Sequence, residues 1–232
     1  MNPDSEITRA VRAALHEDIG KGDFTAMLVQ ADSRAKATVV SREAAVLCGN
    51  PWFEQCFHEL DPGVQLRWLV QEGRHIAAGQ TLCEIEGDAR ALLTAERTAL
   101  NFLQTLSAVA TATRRYVDAI AGTHAQLYDT RKTLPGLRAA QKYAVRAGGG
   151  FNHRMGLYAG ILIKENHIAV AGGIAQALRA AEQVAPPEVW VQIEVENRDE
   201  LVAALAAGAK LILLDNFSVA QMREAVAITA GA

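Results

Sequence analysis

The chain has 232 residues, enough for one large domain or two modest ones, and half of them are hydrophobic while 21% are charged. That balance excludes disordered, collagen-like and coiled-coil chains. Its 23 Lys and Arg against 26 Asp and Glu leave a net charge of −3, so no global positive field recommends it to nucleic acid or anionic lipid, and any anion affinity must be local.

In chain order, Ile7, Val11, Leu15 and Ile19 stand four apart and predict a helix over 5–19, with Asp4 or Ser5 as its N-cap and Gly20-Lys21-Gly22-Asp23 as its stop. From about 35 to 87 the period shortens. The runs 37–40, 46–48, 66–70 and 82–85, punctuated by glycines, predict a small strand-rich region. No Gly or Pro interrupts 89–120, where a helical beat of apolar residues predicts one long helix or two abutting ones. Beyond 125, strands near 125–129, 160–164, 189–195 and 210–214 alternate with helices near 136–147, 174–184, 198–207 and 218–228. Gly208 stands where a helix C-cap glycine belongs. The expected fold is α/β: an N-terminal α+β strand-rich domain over 1–120, then an open α/β barrel with a parallel sheet over 121–232.

Ligands of parallel α/β folds sit at the carboxyl ends of the strands. The four runs end in Tyr128-Asp129-Thr130-Arg131-Lys132, Ile163-Lys164-Glu165-Asn166-His167, Ile193-Glu194-Val195-Glu196-Asn197 and Leu214-Asp215-Asn216, all polar. The 34 residues from Arg131 to Lys164 hold seven cations (Arg131, Lys132, Arg138, Lys142, Arg146, Arg154 and Lys164) and no acid, so something anionic is expected there. Arg138, Lys142 and Arg146, four apart, read as the solvated face of a helix. Arg131 and Lys132 follow a strand end, and Arg154 follows Gly148-Gly149-Gly150-Phe151-Asn152-His153, a loop whose backbone could approach a ligand closely. Arg grips planar anions by bidentate pairing and Lys acts as a point charge, so the mixture implies more than one anionic group. Glu194 and Asp215 could hold a hydrated Mg²⁺ or ribose hydroxyls, or could simply pair with neighbouring cations. His153 reads as a hydrogen-bond donor to the ligand. The histidines and cysteines lack zinc spacing, and neither a P-loop nor a nucleophile-elbow motif is present.

Three stretches carry a resemblance: Asp129-Thr130-Arg131-Lys132-Thr133-Leu134-Pro135-Gly136-Leu137-Arg138, Gly148-Gly149-Gly150-Phe151-Asn152-His153-Arg154, and Ile163-Lys164-Glu165-Asn166-His167-Ile168. Together with Glu17-Asp18-Ile19-Gly20, Gly22-Asp23, Thr25 and Ala95-Glu96-Arg97-Thr98-Ala99-Leu100-Asn101, they resemble the quinolinate phosphoribosyltransferases over essentially the whole chain. The resemblance implies that quinolinate and phosphoribosyl pyrophosphate, the latter carrying Mg²⁺, give nicotinate mononucleotide, pyrophosphate and CO2 in NAD biosynthesis. It further implies that Arg131, Arg154 and Lys164, with Thr130 and His153, grip the two quinolinate carboxylates. Lys132, Glu194 and Asp215 would face phosphoribosyl pyrophosphate and its metal. Arg97, an ordinary helix arginine by spacing, would reach the partner's site in a homodimer.

Family members continue with βα units whose Gly-containing turns cradle the 5-phosphate, whereas this chain ends Thr229-Ala230-Gly231-Ala232. Four strands against the about eight of a closed barrel predict an incomplete barrel with an apolar edge at 210–214, binding quinolinate better than phosphoribosyl pyrophosphate. Two other readings stand beside this one: a pyrophosphorylase homologue associated with molybdenum transport, and a non-catalytic anion-binding subunit. Nucleic acid is disfavoured, since no aromatic stacking row accompanies the basic run. No stretch reaches the ~20 apolar residues of a membrane span, and Met1-Asn2-Pro3-Asp4-Ser5-Glu6 is not a secretory start. Cys48, Cys56 and Cys83 have apolar neighbours and no Cys-x-x-Cys spacing, which predicts reduced, buried thiols in a cytoplasmic protein.

Overall fold

The computed structural model describes residues 3–229, which fall into two compact units divided between His153 and Arg154. Met1 and Asn2 of the acidic start, and Ala230-Gly231-Ala232 of the chain end, lie outside the described residues.

The first unit opens with α1 (Pro3–Ile19). Val11 and Leu15 of its predicted stripe are buried in the core, and Ile7 and Ile19 pack against it. The helix already begins at Pro3, so Asp4 and Ser5 lie in its first turn rather than at the cap. There Asp4 and Glu6 place negative charge at the positive end of the helix dipole.

The strand-rich region consists of β1 (Arg34–Val40), β2 (Ala45–Val46), β3 (Gln65–Trp68), β4 (His75–Ile76) and β5 (Thr81–Asp88). One antiparallel sheet has the order β1-β5-β3, and β2 pairs with β4. β2 is shorter than the predicted run: Leu47 still bonds Arg74 O (2.9 Å) and Gly73 N (2.8 Å) through its backbone, and at Cys48 the Ser107 hydroxyl takes over, accepting from Cys48 N at 2.9 Å and donating to Cys48 O at 3.0 Å. The reading of 35–87 as strands alone misses α2 (Asn50–His58). Its buried Trp52, Phe53, Cys56 and Phe57 follow a helical beat, and the Glu72 carboxylate accepts from Gly49 N (2.7 Å) and Asn50 N (3.1 Å) at its start. All three cysteines are free thiols and buried, as expected.

The segment 89–120 is one helix, α3 (Ala89–Ala119), capped by the Asp88 side chain, which accepts from Ala91 N at 2.9 Å. Its apolar row of Leu92, Ala95, Ala99, Leu103, Leu106 and Ala110 lies in the core. The strand expected at 125–129 is absent and is reduced to a parallel bridge between Tyr128 and Phe151. Phe151 N donates to Leu127 O (2.8 Å) and Asp129 N to Phe151 O (3.0 Å). The next rung would run from His153 N to Asp129 O, but that N–H goes to the Asp129 carboxylate instead, at 2.9 Å, and the ladder ends there.

The helix α4 (Arg138–Ala147) follows, and Gly148 brings its end against α3. A Cβ on Gly148 would stand 2.6 Å from both Ala110 O and Thr113 Cβ, and Gly149 has φ +93°. The glycine run therefore serves helix packing and a left-handed turn. Gly148→Ala is expected to cost about 1–3 kcal/mol, the usual penalty of overpacking against backbone, read as a lowered melting temperature.

The second unit alternates β6 (Ile161–Ile163), α5 (Glu165–Ala171), α6 (Ile174–Val184), β7 (Val191–Val195), α7 (Arg198–Ala206), β8 (Ile212–Leu214) and α8 (Val219–Thr229). The strands form a parallel sheet of order β6-β7-β8, and Ile163, Ile193, Val195, Leu178, Leu201 and Phe217 supply its core. Gly208, at φ +84°, directly follows the C-cap of α7 as expected. The short α5 is the element missed here. Among the described residues no helix is long and apolar enough to cross a membrane.

Candidate functional site

Each unit carries its own share of the expected site residues. In the first unit, Thr130, Arg131 and Lys132 follow the Tyr128–Phe151 bridge. The Thr130 hydroxyl accepts from Lys132 N at 3.0 Å, which closes a turn and leaves the Lys132 side chain exposed. Arg131 is half-buried, and its Nε is buried with no hydrogen-bond partner among the described residues. An orphaned buried donor of this kind is costly unless a ligand completes it. Arg97 is exposed on α3.

Behind this turn lies a group that the sequence reading placed elsewhere. Lys142, expected on a solvated row with Arg138 and Arg146, is 1% exposed and forms an ion pair with Asp129. Ala140 and Ala144 of α4 are buried with it, so this helix is enclosed on more than one side and a spacing of four does not locate solvent. Arg146 alone of the three is exposed. Asn152 Nδ2 donates to Asp129 Oδ2 (2.6 Å) and to Lys142 O (2.9 Å), and Lys142 Nζ also donates to His153 O at 3.0 Å. One signal could have exposed the pair: Asp129 is the acid immediately preceding the acid-free run of cations.

In the second unit the order β6-β7-β8 sets three strand ends side by side, and with them Lys164, Glu194 and Asp215. Ile193 and Val195 enter the core, so the strand's alternation turns Glu194 to the other face, where it is still only 8% exposed. Lys164 Nζ donates to both Glu194 oxygens, at 2.8 and 2.9 Å. This hydrogen bonding, foremost, holds the Lys164 pKa above its ordinary value. Desolvation opposes the rise, while the charges of Glu194, Glu165 and Asp215 add to it. Lys164 also starts α5, its N–H donating to His167 Nδ1 at 3.0 Å. Asp215 N donates to Val195 O at 2.9 Å, and its Oδ2 accepts from Asn216 at 3.2 Å. Arg154 Nη1 donates to Gly160 O at 2.9 Å. Among the described residues no three His, Cys, Asp or Glu side chains form a metal cluster.

The second unit can therefore offer a cation gripped by a buried carboxylate, with a further carboxylate beside it. The first can offer a guanidinium and an ammonium with no acidic partner among the described residues, a pair that suits anionic groups.

Known proteins resemble this chain over most of its length. The quinolinate phosphoribosyl transferase C-terminal domain matches residues 109–232, and the corresponding N-terminal domain matches residues 23–107. The nicotinate-nucleotide pyrophosphorylase [carboxylating] of Mycobacterium leprae is 45% identical over 223 residues, covering 93% of this chain and 77% of that protein. The probable nicotinate-nucleotide pyrophosphorylase [carboxylating] of Bacillus subtilis is 42% identical over 200 residues, covering 86% of this chain and 69% of the relative. Among solved structures, the nicotinate-nucleotide pyrophosphorylase of Francisella tularensis aligns with a TM-score of 0.94 at 46% identity, covering 100% of this chain and 82% of its own. Two consecutive domain matches spanning most of the sequence, with relatives this similar, show that the chain belongs to the quinolinate phosphoribosyl transferase family.

Proposed function

We propose that the protein transfers the phosphoribosyl group of phosphoribosyl pyrophosphate to quinolinate and decarboxylates the product, giving nicotinate mononucleotide, pyrophosphate and CO2 for NAD biosynthesis. The observation that carries this reading beyond family membership is Arg131, a half-buried guanidinium with an orphaned Nε in the turn that also presents Lys132. We assign Arg131, Arg154 and Lys164, with Thr130 and His153, to the quinolinate carboxylates. Lys132, Glu194 and Asp215 are assigned to phosphoribosyl pyrophosphate. Arg97, exposed on its helix, is assigned to the site of a second copy in a homodimer. Three free cysteines fit the reducing cytoplasm.

The chemistry follows from charge. The bond from ribose C1 to the pyrophosphate oxygen breaks with its electron pair leaving on pyrophosphate, whose growing charge Lys132 neutralises. The oxocarbenium-like ribose is captured by the pyridine nitrogen. The ring nitrogen is then cationic and stabilises the electron pair that stays on the adjacent ring carbon as CO2 departs, and a proton from water takes the vacated position on that carbon. Positioning supplies most of the catalysis, and no general base is assigned. Mg²⁺ enters with phosphoribosyl pyrophosphate as part of that substrate, screening its phosphate charge. Both Glu194 oxygens are engaged by Lys164, whereas the Asp215 carboxylate, among the described residues, accepts through Oδ2, so Asp215 is the carboxylate suited to such a hydrated, phosphate-carried ion.

Purified protein mixed with quinolinate, phosphoribosyl pyrophosphate and Mg²⁺ should form nicotinate mononucleotide, seen by chromatography, and none when phosphoribosyl pyrophosphate is omitted. Quinolinate binding without product would overturn the catalytic reading in favour of an anion-binding subunit. Neither binding nor product would sink the assignment altogether.

A further inference from the structure

We infer that Asp129, Lys142 and Asn152 are positioning residues for quinolinate binding: a buried, closed set of hydrogen bonds that fixes the Thr130-Arg131-Lys132 turn against the segment carrying His153. The inference rests on the function proposed above.

The Asp129 carboxylate takes three donors: Lys142 Nζ, Asn152 Nδ2 at 2.6 Å and His153 N at 2.9 Å. Lys142 Nζ reaches His153 O at 3.0 Å, and Asn152 Nδ2 reaches Lys142 O at 2.9 Å. Both backbone polar groups of His153 are thereby held by the ion pair, and Asn152 is tied to both of its members. The side chains of Lys142 and Asp129 are 2% and 8% exposed, so neither is placed to meet a solvent-borne ligand directly.

Burying such a pair gains little stability over apolar residues of similar volume, so stability alone gives no reason to put charge there. Geometry does. Regular pairing between the two segments is limited to one bridge, and the rung that would extend it is made by the Asp129 side chain. Two residues beyond Asp129 stands Arg131, whose Nε finds no partner among the described residues. Its guanidinium is aimed by the backbone that Asp129 anchors. The pair has a second effect. Asp129 neutralises one of the seven cations in the acid-free run, and its attraction for a substrate carboxylate is withdrawn from behind the turn.

The test measures quinolinate dissociation constants by titration calorimetry beside thermal melting, using the whole chain. In Asp129→Asn/Lys142→Met both buried charges are removed together, so the fold persists while the ion pair and the Lys142 bond to His153 O are lost and one of the two carboxylate acceptors is gone. Quinolinate binding is expected to weaken about tenfold to a hundredfold, as small misplacements of binding groups do, with melting close to the parent. A folded double variant binding within about twofold of the parent would overturn the inference, because a purely structural pair would leave affinity untouched. If the double variant does not melt cooperatively, Asn152→Ala serves instead. It removes two hydrogen bonds of a half-buried side chain and should weaken binding at least about threefold, and unchanged affinity would equally overturn the proposal. Arg131→Ala is measured in parallel. If it binds like the parent, the site assignment itself has failed, independently of the buried pair.

Discussion

Replacing Arg131 with alanine is expected to weaken quinolinate binding by about 2–5 kcal/mol, roughly one and a half to three and a half decades in the dissociation constant, with little change in melting temperature. The stability half of this expectation follows because, among the described residues, the Arg131 Nε has no hydrogen-bond partner that the substitution would break. The affinity half follows because a guanidinium offers two parallel donors to a planar carboxylate. Arg131→Lys should recover only part of the loss, since an ammonium supplies charge without the fork. Titration calorimetry with quinolinate checks both variants, and an alanine variant that binds like the parent would remove Arg131 from the site.

The largest stability effect is expected at Lys142. Lys142→Met leaves the Asp129 carboxylate buried with its counter-charge gone, which costs about 3–5 kcal/mol. At about 2–4 °C per kcal/mol for a chain of this size, the melting temperature should fall by roughly 6–20 °C. Adding Asp129→Asn should restore most of that, because the stranded charge is what costs the most. Calorimetric melting of the parent, the single and the double variant decides it. A single variant melting within about 2 °C of the parent would mean that Asp129 is not carrying a buried charge.

These two residues show what could be read from the sequence and what could not. Strand ends and turn residues were legible because local spacing determines them: α6 occupies the predicted 174–184, and Lys164, Glu194 and Asp215 fall at the ends of three paired strands. The charge excess around Arg131 was legible because the run from Arg131 to Lys164 holds seven cations and no acid. Lys142 was not, since spacing along a helix says which residues share a side but not what that side faces. The strand at 125–129 failed for a related reason. Its apolar beat was present, but a carboxylate took the next ladder rung, and that is a contact across 24 residues of sequence. The helix at 50–58 was hidden by glycines that look like strand punctuation, one of which, Gly49 at φ +109°, is its N-cap. The packing role of the glycines at 148–150 was not legible, because the helix they pack against lies more than 30 residues earlier.

The distribution of sulfur has a practical consequence. Cys48, Cys56 and Cys83 all belong to the first unit, and residues 154–232 contain no cysteine. Burial pushes all three thiols up, Cys56 to about 12 and Cys83 to about 11, with the charge of Glu72 adding to the effect at Cys48. The thiolate is the reactive form, so a native molecule is shielded twice, by enclosure and by protonation. A thiol-reactive dye therefore acts as a clock for the opening of the first unit alone. The second unit could melt and refold under the same reagent unseen, and the difference between dye uptake and bulk melting reports which half of the chain yields first.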